Sequence, residues 1–262
     1  MIDSVNNMGT IDTMSIADGP VVEVNALTRI FGDVIAVKAV SFQVQPGETF
    51  GLIGPNGAGK STLIKMLTTL LPPTSGQAMV AGYNVAKDPQ QVRKRIGYVP
   101  QLLSSDRELT GYENLLLSAR LYLIPANERQ RRIEEAMHMM KLGDAKDRLV
   151  RDYSGGMLRR LEIAQSTLHR PAILFLDEST VGLDPDGRHA VWEHVRALNR
   201  ELGSAVILTT HYMDEAETLC GRVAVLSAGE LKVIDTPAAL KERYAPKGTL
   251  DDVFEVLAGE GA

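Results

Sequence analysis

Residues 49–71 read TFGLIGPNGAGKSTLIKMLTTLL, and the middle of that run decides the fold. A short apolar stretch runs into Gly54-Pro55-Asn56-Gly57-Ala58-Gly59-Lys60-Ser61, which fits the spacing G-x-x-x-x-G-K-[ST], with Thr62 next. Glycines at those places let backbone N–H groups wrap a β-phosphate. Lys60 can reach the β- and γ-phosphates, and the Ser61 hydroxyl suits Mg²⁺. From Ser61 apolar residues return at helical spacing and stop before Pro72-Pro73. Strand, glycine loop and helix in that order predict a P-loop α/β fold.

The flanking sequence extends this into a large α/β domain. Residues 21–44 alternate apolar and polar around Gly32-Asp33, which predicts an antiparallel hairpin. A more helical region runs from about Leu102 to Gln165. Its best-defined helix is expected to start at Asn127 as cap, with Gln130 as reciprocal partner, and to end at Gly143. Ile133, Met137 and Met140 share one face and read as core, since methionine fills irregular interiors. Residues 172–178, AILFLDE, form a continuous apolar run, as in a parallel strand covered on both faces. A helix over 187–202 and a second apolar strand over 204–211 follow, with His189 and His194 read as surface residues. Residues 222–235 predict two strands around Ala228-Gly229, and from Pro237 the chain reads as a helical, polar tail. Residues 1–20 lack both a basic region and a continuous apolar stretch. They read as a flexible extension, not a secretion signal.

Composition narrows the function. With 262 residues, 44% of them apolar, the chain can bury a full core. A net charge of −5 gives a nucleic-acid surface no support. The single cysteine, Cys220, excludes a disulfide framework within the chain, fits a reducing cytoplasm and reads as a small buried apolar residue. No apolar run approaches the roughly 18 residues of a membrane span, so any membrane link is expected through a partner.

Three further places carry chemistry. The strand 172–178 ends in two carboxylates, Asp177 and Glu178. An apolar strand ending in aspartate is where a P-loop fold holds the Mg²⁺ shell. Crowding a second acid beside it is costly, so Glu178 reads as functional, placed to polarise a water near the γ-phosphate. That predicts hydrolysis; a kinase needs an acceptor pocket that no segment suggests. His211 directly follows the other apolar strand, and adjacent parallel strands would put it beside Glu178 at one sheet edge. Last, Ser154-Gly155-Gly156 opens a helix whose start also offers N–H groups to an anion. One nucleotide does not need two such grips.

In this order the motifs resemble those of the nucleotide-binding subunits of ATP-binding-cassette (ABC) transporters, from Val21 to about Asp235. Gly54–Thr62 resembles the Walker A loop, Gln101 in YVPQ the Q-loop glutamine that senses Mg²⁺ and the γ-phosphate, and ILFLDE the Walker B strand with its catalytic glutamate. Tyr153–Met157 resembles the signature, Asp184 in GLDP the D-loop, His211 the switch histidine, and Phe31 the aromatic that stacks on adenine. The resemblance implies a P-loop NTPase of the ABC ATPase fold over residues 21–235. It comprises a RecA-like core, an antiparallel β-subdomain and a helical subdomain inserted at about 102–165, with a C-terminal tail over 236–262. It implies ATP and Mg²⁺ as cofactors, with Ser61, Gln101 and Asp177 around the metal. It also explains the second grip: two subunits pack head to tail, so Ser154, Gly155 and Gly156 of one close over ATP held by the other. The chain departs from the usual pattern at Tyr153 and Met157, which end the signature, at Ser179, where a proline often stands, and at Phe31, which replaces the commoner tyrosine. Loss of the signature glutamine puts its own nucleotide contact in doubt but not the site.

Residues 104–122, the YSGGM form and residues 248–259 resemble ATPases of bacterial ABC-2-type exporters. That branch implies a transmembrane permease as partner, a second ATPase subunit, most simply another copy, and a place on the cytoplasmic face of the inner membrane. It implies no nucleic acid. The alternative is a soluble ABC ATPase of the iron–sulfur-assembly type. A DNA-repair type would need a long coiled coil that the span between Gln101 and Ser154 does not hold, and a translation type usually has two cassettes in one chain. A switch that binds ATP without turnover is opposed by Glu178.

Overall fold

The alternating stretch folds as β1 (Val22–Phe31) and β2 (Val34–Val44), paired antiparallel across the Gly32-Asp33 turn. The apolar run before the glycine loop is β3 (Thr49–Ile53), and α1 (Lys60–Leu67) leaves it. β4 (Ser75–Val80) and β5 (Tyr83–Asn84) complete an antiparallel sheet of order β2-β1-β4-β5. α2 (Pro89–Arg93) leads to β6 (Ile96–Val99). The helical region supplies α3 (Gly111–Leu121), α4 (Ala126–Met139) and α5 (Gly155–Thr167). Then come β7 (Ile173–Asp177), α6 (Pro185–Leu202), β8 (Ala205–Thr210), α7 (Met213–Leu219), β9 (Arg222–Ser227) and β10 (Glu230–Asp235). α8 (Pro237–Tyr244) and α9 (Leu250–Gly259) end the chain. This computed structural model describes residues 19–102 and 104–259, so nearly all of the expected N-terminal extension lies outside the described residues.

The second sheet has the order β10-β9-β3-β8-β7-β6 and is parallel except for β10 at its edge. Its central strands β3, β8 and β7 are buried almost throughout because they face two cores, and side chains alternate between them, while the edge strand β10 carries Glu230, Lys232 and Asp235. Phe50, Leu52, Phe175, Ile207 and Leu226 point to the core shared with α1 and the antiparallel sheet. Ile53, Leu174, Leu176, Val206 and Val225 point to the core built by the helical region and α6. The mixed α/β architecture matches the expected fold class.

Four local expectations are corrected. α4 starts after Pro125, which stands at its N-cap, its carbonyl accepting from Glu128 N at 2.9 Å and Arg129 N at 3.2 Å. Asn127 therefore lies inside the first turn, and Gln130 bonds Glu134 instead of capping. The helix ends before Gly143. Lys141 takes the left-handed turn at φ 52°, its N–H bonding His138 O and that of Leu142 bonding Met137 O. Burial of Leu142 against the core holds this stop closed without a glycine. His194 is buried, not a surface residue, because it shares one face of α6 with Val191, Val195 and Leu198. Its Nδ1 meets Ala190 O one turn back. The tail is helical but not simply polar, since Leu240, Leu250, Val253 and Leu257 join the helical-region core. Cys220 is buried, as expected.

Candidate functional site

The glycine loop is wedged between two strands. Gly54 has φ 152°, and a Cβ there would lie 2.2 Å from Leu226 O on β9. Gly59 has φ 101°, with Ala36 O on β2 only 2.4 Å from a would-be Cβ. Only glycine fits either place. Lys60 follows, buried, its Nζ donating to Gly54 O at 2.7 Å and Pro55 O at 3.0 Å. Burial draws its ammonium below the ordinary lysine value, against the opposing pull of Glu178 and Asp177.

β7 and β8 are neighbours, with Asp177 in register with Thr209. The Asp177 Oδ1 accepts from Thr209 Oγ1 at 2.7 Å and from Ser61 Oγ at 3.0 Å. Burial, with the Asp177 charge nearby, pushes the Tyr98 pKa up to about 12. Glu178 leaves the strand in the left-handed region, φ 49°, a costly conformation for a residue with a Cβ. Thr209 holds it there, its carbonyl and hydroxyl accepting from Glu178 N at 3.2 and 2.9 Å. The turned carboxylate accepts from Gln101 Nε2 at 3.0 Å and lies 3.8 Å from Lys60 Nζ and 3.7 Å from His211 Nδ1. That buried His211 nitrogen has no hydrogen-bond partner among the described residues. Asn56–Thr62, Gln101 and Glu178 line one cavity of about 320 Å³.

Oxygen donors gathered at Ser61 and Asp177 suit a hard cation such as Mg²⁺. Among the described residues no cluster of three or more His, Cys, Asp or Glu could hold a metal by itself. A cation that keeps waters and shares phosphate oxygens fits this sparse set.

The second grip is elsewhere. Ser154 caps α5, its Oγ accepting from Met157 N at 3.3 Å. Ser154, Gly155, Gly156 and Asp184 line a separate cavity of about 480 Å³ that shares no lining residue with the first. Phe31 lies outside both linings, exposed at the end of β1 with the Arg29 guanidinium 4.5 Å from its ring centroid.

Several supporting residues carry no motif. Thr209 braces Asp177, and strand register was the only signal for it. Glu215 is buried on α7, accepting from Trp192 Nε1 at 2.9 Å and Thr180 Oγ1 at 3.1 Å. It thereby ties the turn after Glu178 to the helix capped by Asp184.

The sequence profile of the ABC transporter family matches residues 37–181. The daunorubicin/doxorubicin resistance ATP-binding protein DrrA of Streptomyces peucetius is 45% identical over 220 residues, 84% of this chain and 66% of its own length. The Nod factor export ATP-binding protein I of Sinorhizobium fredii is 41% identical over 238 residues, 91% of this chain and 68% of its own. An ATP-binding cassette solved as a dimer in a post-hydrolysis state, with ADP and Pi bound, superposes with a TM-score of 0.73 at 26% identity, covering 82% of this chain and 98% of the other. These relatives support the transporter reading over the iron–sulfur-assembly alternative. The chain belongs to the ABC transporter family, and the domain it carries is that family's ATP-binding, ATP-hydrolysing unit.

Proposed function

We propose that the chain is the motor of an exporter. It pairs head to tail with a second copy and drives a separate ABC-2-type transmembrane permease at the cytoplasmic face of the inner membrane. The observation that carries this reading is the division of the site. One cavity is lined by the phosphate loop from Asn56 to Thr62 with Glu178, and the other by the helix start at Ser154 with no phosphate loop of its own. The relatives named for drug resistance and Nod factor export support the direction of transport, and they handle different cargoes. No helix among the described residues is long and apolar enough to cross a membrane, which suits a motor that works through a partner.

The residues then take these roles. The adenine stacks on Phe31, and the phosphates lie in the loop from Gly54 to Thr62. Lys60 turns from its loop carbonyls to the β- and γ-phosphates. Ser61, Asp177 and Gln101 would hold Mg²⁺, which when bound neutralises charge on the phosphate oxygens. Glu178 accepts the proton of the attacking water, aimed by its left-handed backbone and by Gln101. His211, with a free ring nitrogen beside Glu178, donates to the γ-phosphate. Ser154, Gly155, Gly156 and Asp184 act on the nucleotide of the other subunit.

Complementation tests the pairing. Ser154→Arg blocks the signature and Lys60→Ala the phosphate loop, and each homodimer should be inactive. A mixed dimer has one site with both lesions and one with neither if the signature works across the interface. ATPase activity should therefore return on mixing. No recovery, with mixed dimers verified by tag pull-down and one-site competence confirmed in a linked dimer, refutes the head-to-tail arrangement.

A further inference from the structure

After β6 the residues 100–102 and 104 have no regular structure, so their inward-facing backbone groups need partners from elsewhere. They find them on α5. The Arg159 guanidinium donates to Pro100 O at 2.8 Å, to Gln101 O at 3.0 Å and to Glu162 Oε2 at 2.9 Å. Glu162 Oε1 in turn accepts from Ser104 N at 2.5 Å and Ser104 Oγ at 3.3 Å. Both charged side chains are almost wholly buried, 3% and 2% exposed.

Stability does not explain an ion pair there. Desolvating two charges consumes most of what their attraction returns, and an apolar pair of similar volume serves a core as well. What an apolar pair cannot do is hold two carbonyls and an N–H of an irregular segment in one arrangement. The forked guanidinium and the two-oxygen carboxylate do this. The gripped residue is the one whose side chain reaches Glu178, Gln101 Nε2 lying 3.0 Å from Glu178 Oε2. Arg159 also stands five residues after Ser154 on the same helix, so the grip and the signature move as one body.

We propose that Arg159 and Glu162 are positioning residues for hydrolysis: through the main chain of Gln101 they hold its amide against Glu178 and lock it to the helix that opens at Ser154. The inference rests on the reading of Gln101 and Glu178 as parts of the hydrolytic site. The pair itself touches neither nucleotide nor water.

Steady-state ATPase kinetics on the full chain decide it. Glu162→Gln keeps the size and an acceptor for Ser104 but removes the charge. The double variant Arg159→Met with Glu162→Leu replaces the pair by apolar groups. The double variant should keep the wild-type urea midpoint, whereas Glu162→Gln, which leaves the buried Arg159 charge unpaired, should lower it while the chain still folds. Both should keep an ATP KM within about twofold, while kcat falls about tenfold, the usual weight of residues that orient a working group. Adding Gln101→Ala to either should lower kcat no further than Gln101→Ala alone, because both changes remove the same contact. Multiplying effects in the combination overturn the proposal, and so does wild-type kcat in Glu162→Gln. An unfolded apolar variant beside a fully active Glu162→Gln makes the pair purely structural and overturns it as well. If Gln101→Ala alone keeps wild-type kcat, the parent reading of the glutamine falls too. If Gln101→Ala loses kcat and the pair variants do not, only this proposal falls.

Discussion

Glu178, the base proposed above, is set apart from its neighbour by backbone and surroundings. Its neighbour Asp177 ends a buried strand with side-chain bonds to Ser61 and Thr209, while Glu178 turns out of the sheet at φ 49° toward Lys60, Gln101 and His211. The two carboxylates are adjacent in the chain but work in different surroundings. Glu178→Gln should keep ATP binding, lose roughly 10²-fold or more in turnover and trap an ATP-bound dimer. Single-turnover hydrolysis with parallel binding measurements checks this, and wild-type turnover would sink the role. Lys60→Ala should instead weaken nucleotide binding, because it removes the point charge that meets the phosphates. That Glu178 is chemically special was legible in the run ILFLDE. Its turned backbone was not, because that depends on Thr209, 31 positions away, accepting from its N–H.

At the scale of the element, α5 carries several of the residues given roles above. Its N-cap is Ser154, its middle holds Arg159 and Glu162, and His169 follows its end. The His169 ring stacks on Tyr122 with centroids 3.9 Å apart, and its Nε2 lies 2.9 Å from Ile96 O on β6. Burial pulls its pKa from 6.5 down to about 4. The folded value lies below the unfolded one, so the unfolded chain takes up the proton first as pH falls. Stability from this group is therefore full above about 6.5 and is lost as pH falls toward about 4. The loss amounts to about 3 kcal/mol. His169→Gln, which retains a donor for Ile96 O, should flatten the pH dependence of urea unfolding in that window. An unchanged slope would contradict the burial argument. The start of α5 was legible because Ser-Gly-Gly before an apolar repeat is a local signal. The ends of α4 were not, because Pro125 and the packing of Leu142 outweighed Asn127 and Gly143.

At the scale of the whole molecule, large apolar side chains are left exposed both beside Gln101 and on α3. Leu102 is 82% exposed and Leu121 74%, with Leu117 also exposed on the same helix. We expect the permease to dock a cytoplasmic helix there, so that the state of Gln101 reaches it directly. A cysteine at Leu102 should crosslink to the permease. Cys220 would not compete, since it is buried and burial pushes its thiol well above the ordinary range. Failure at Leu102, with efficient crosslinks from cysteines on the exposed face of α6, would move the docking surface.

The sequence alone determined the phosphate loop, the buried strands that lead to Asp177, Glu178 and His211, and the helix start at Ser154. Each is a contiguous pattern, because a phosphate cradle is built from successive backbone groups and a strand between two cores is apolar at every position. Only the tertiary structure decided that Thr209 braces Asp177, that His194 is buried, that Arg159 and Glu162 grip the segment of Gln101, and that the phosphate loop and the helix start at Ser154 line separate cavities. These depend on the register between strands far apart in the chain and on which polar groups lose their water when the layers close. No local periodicity encodes either.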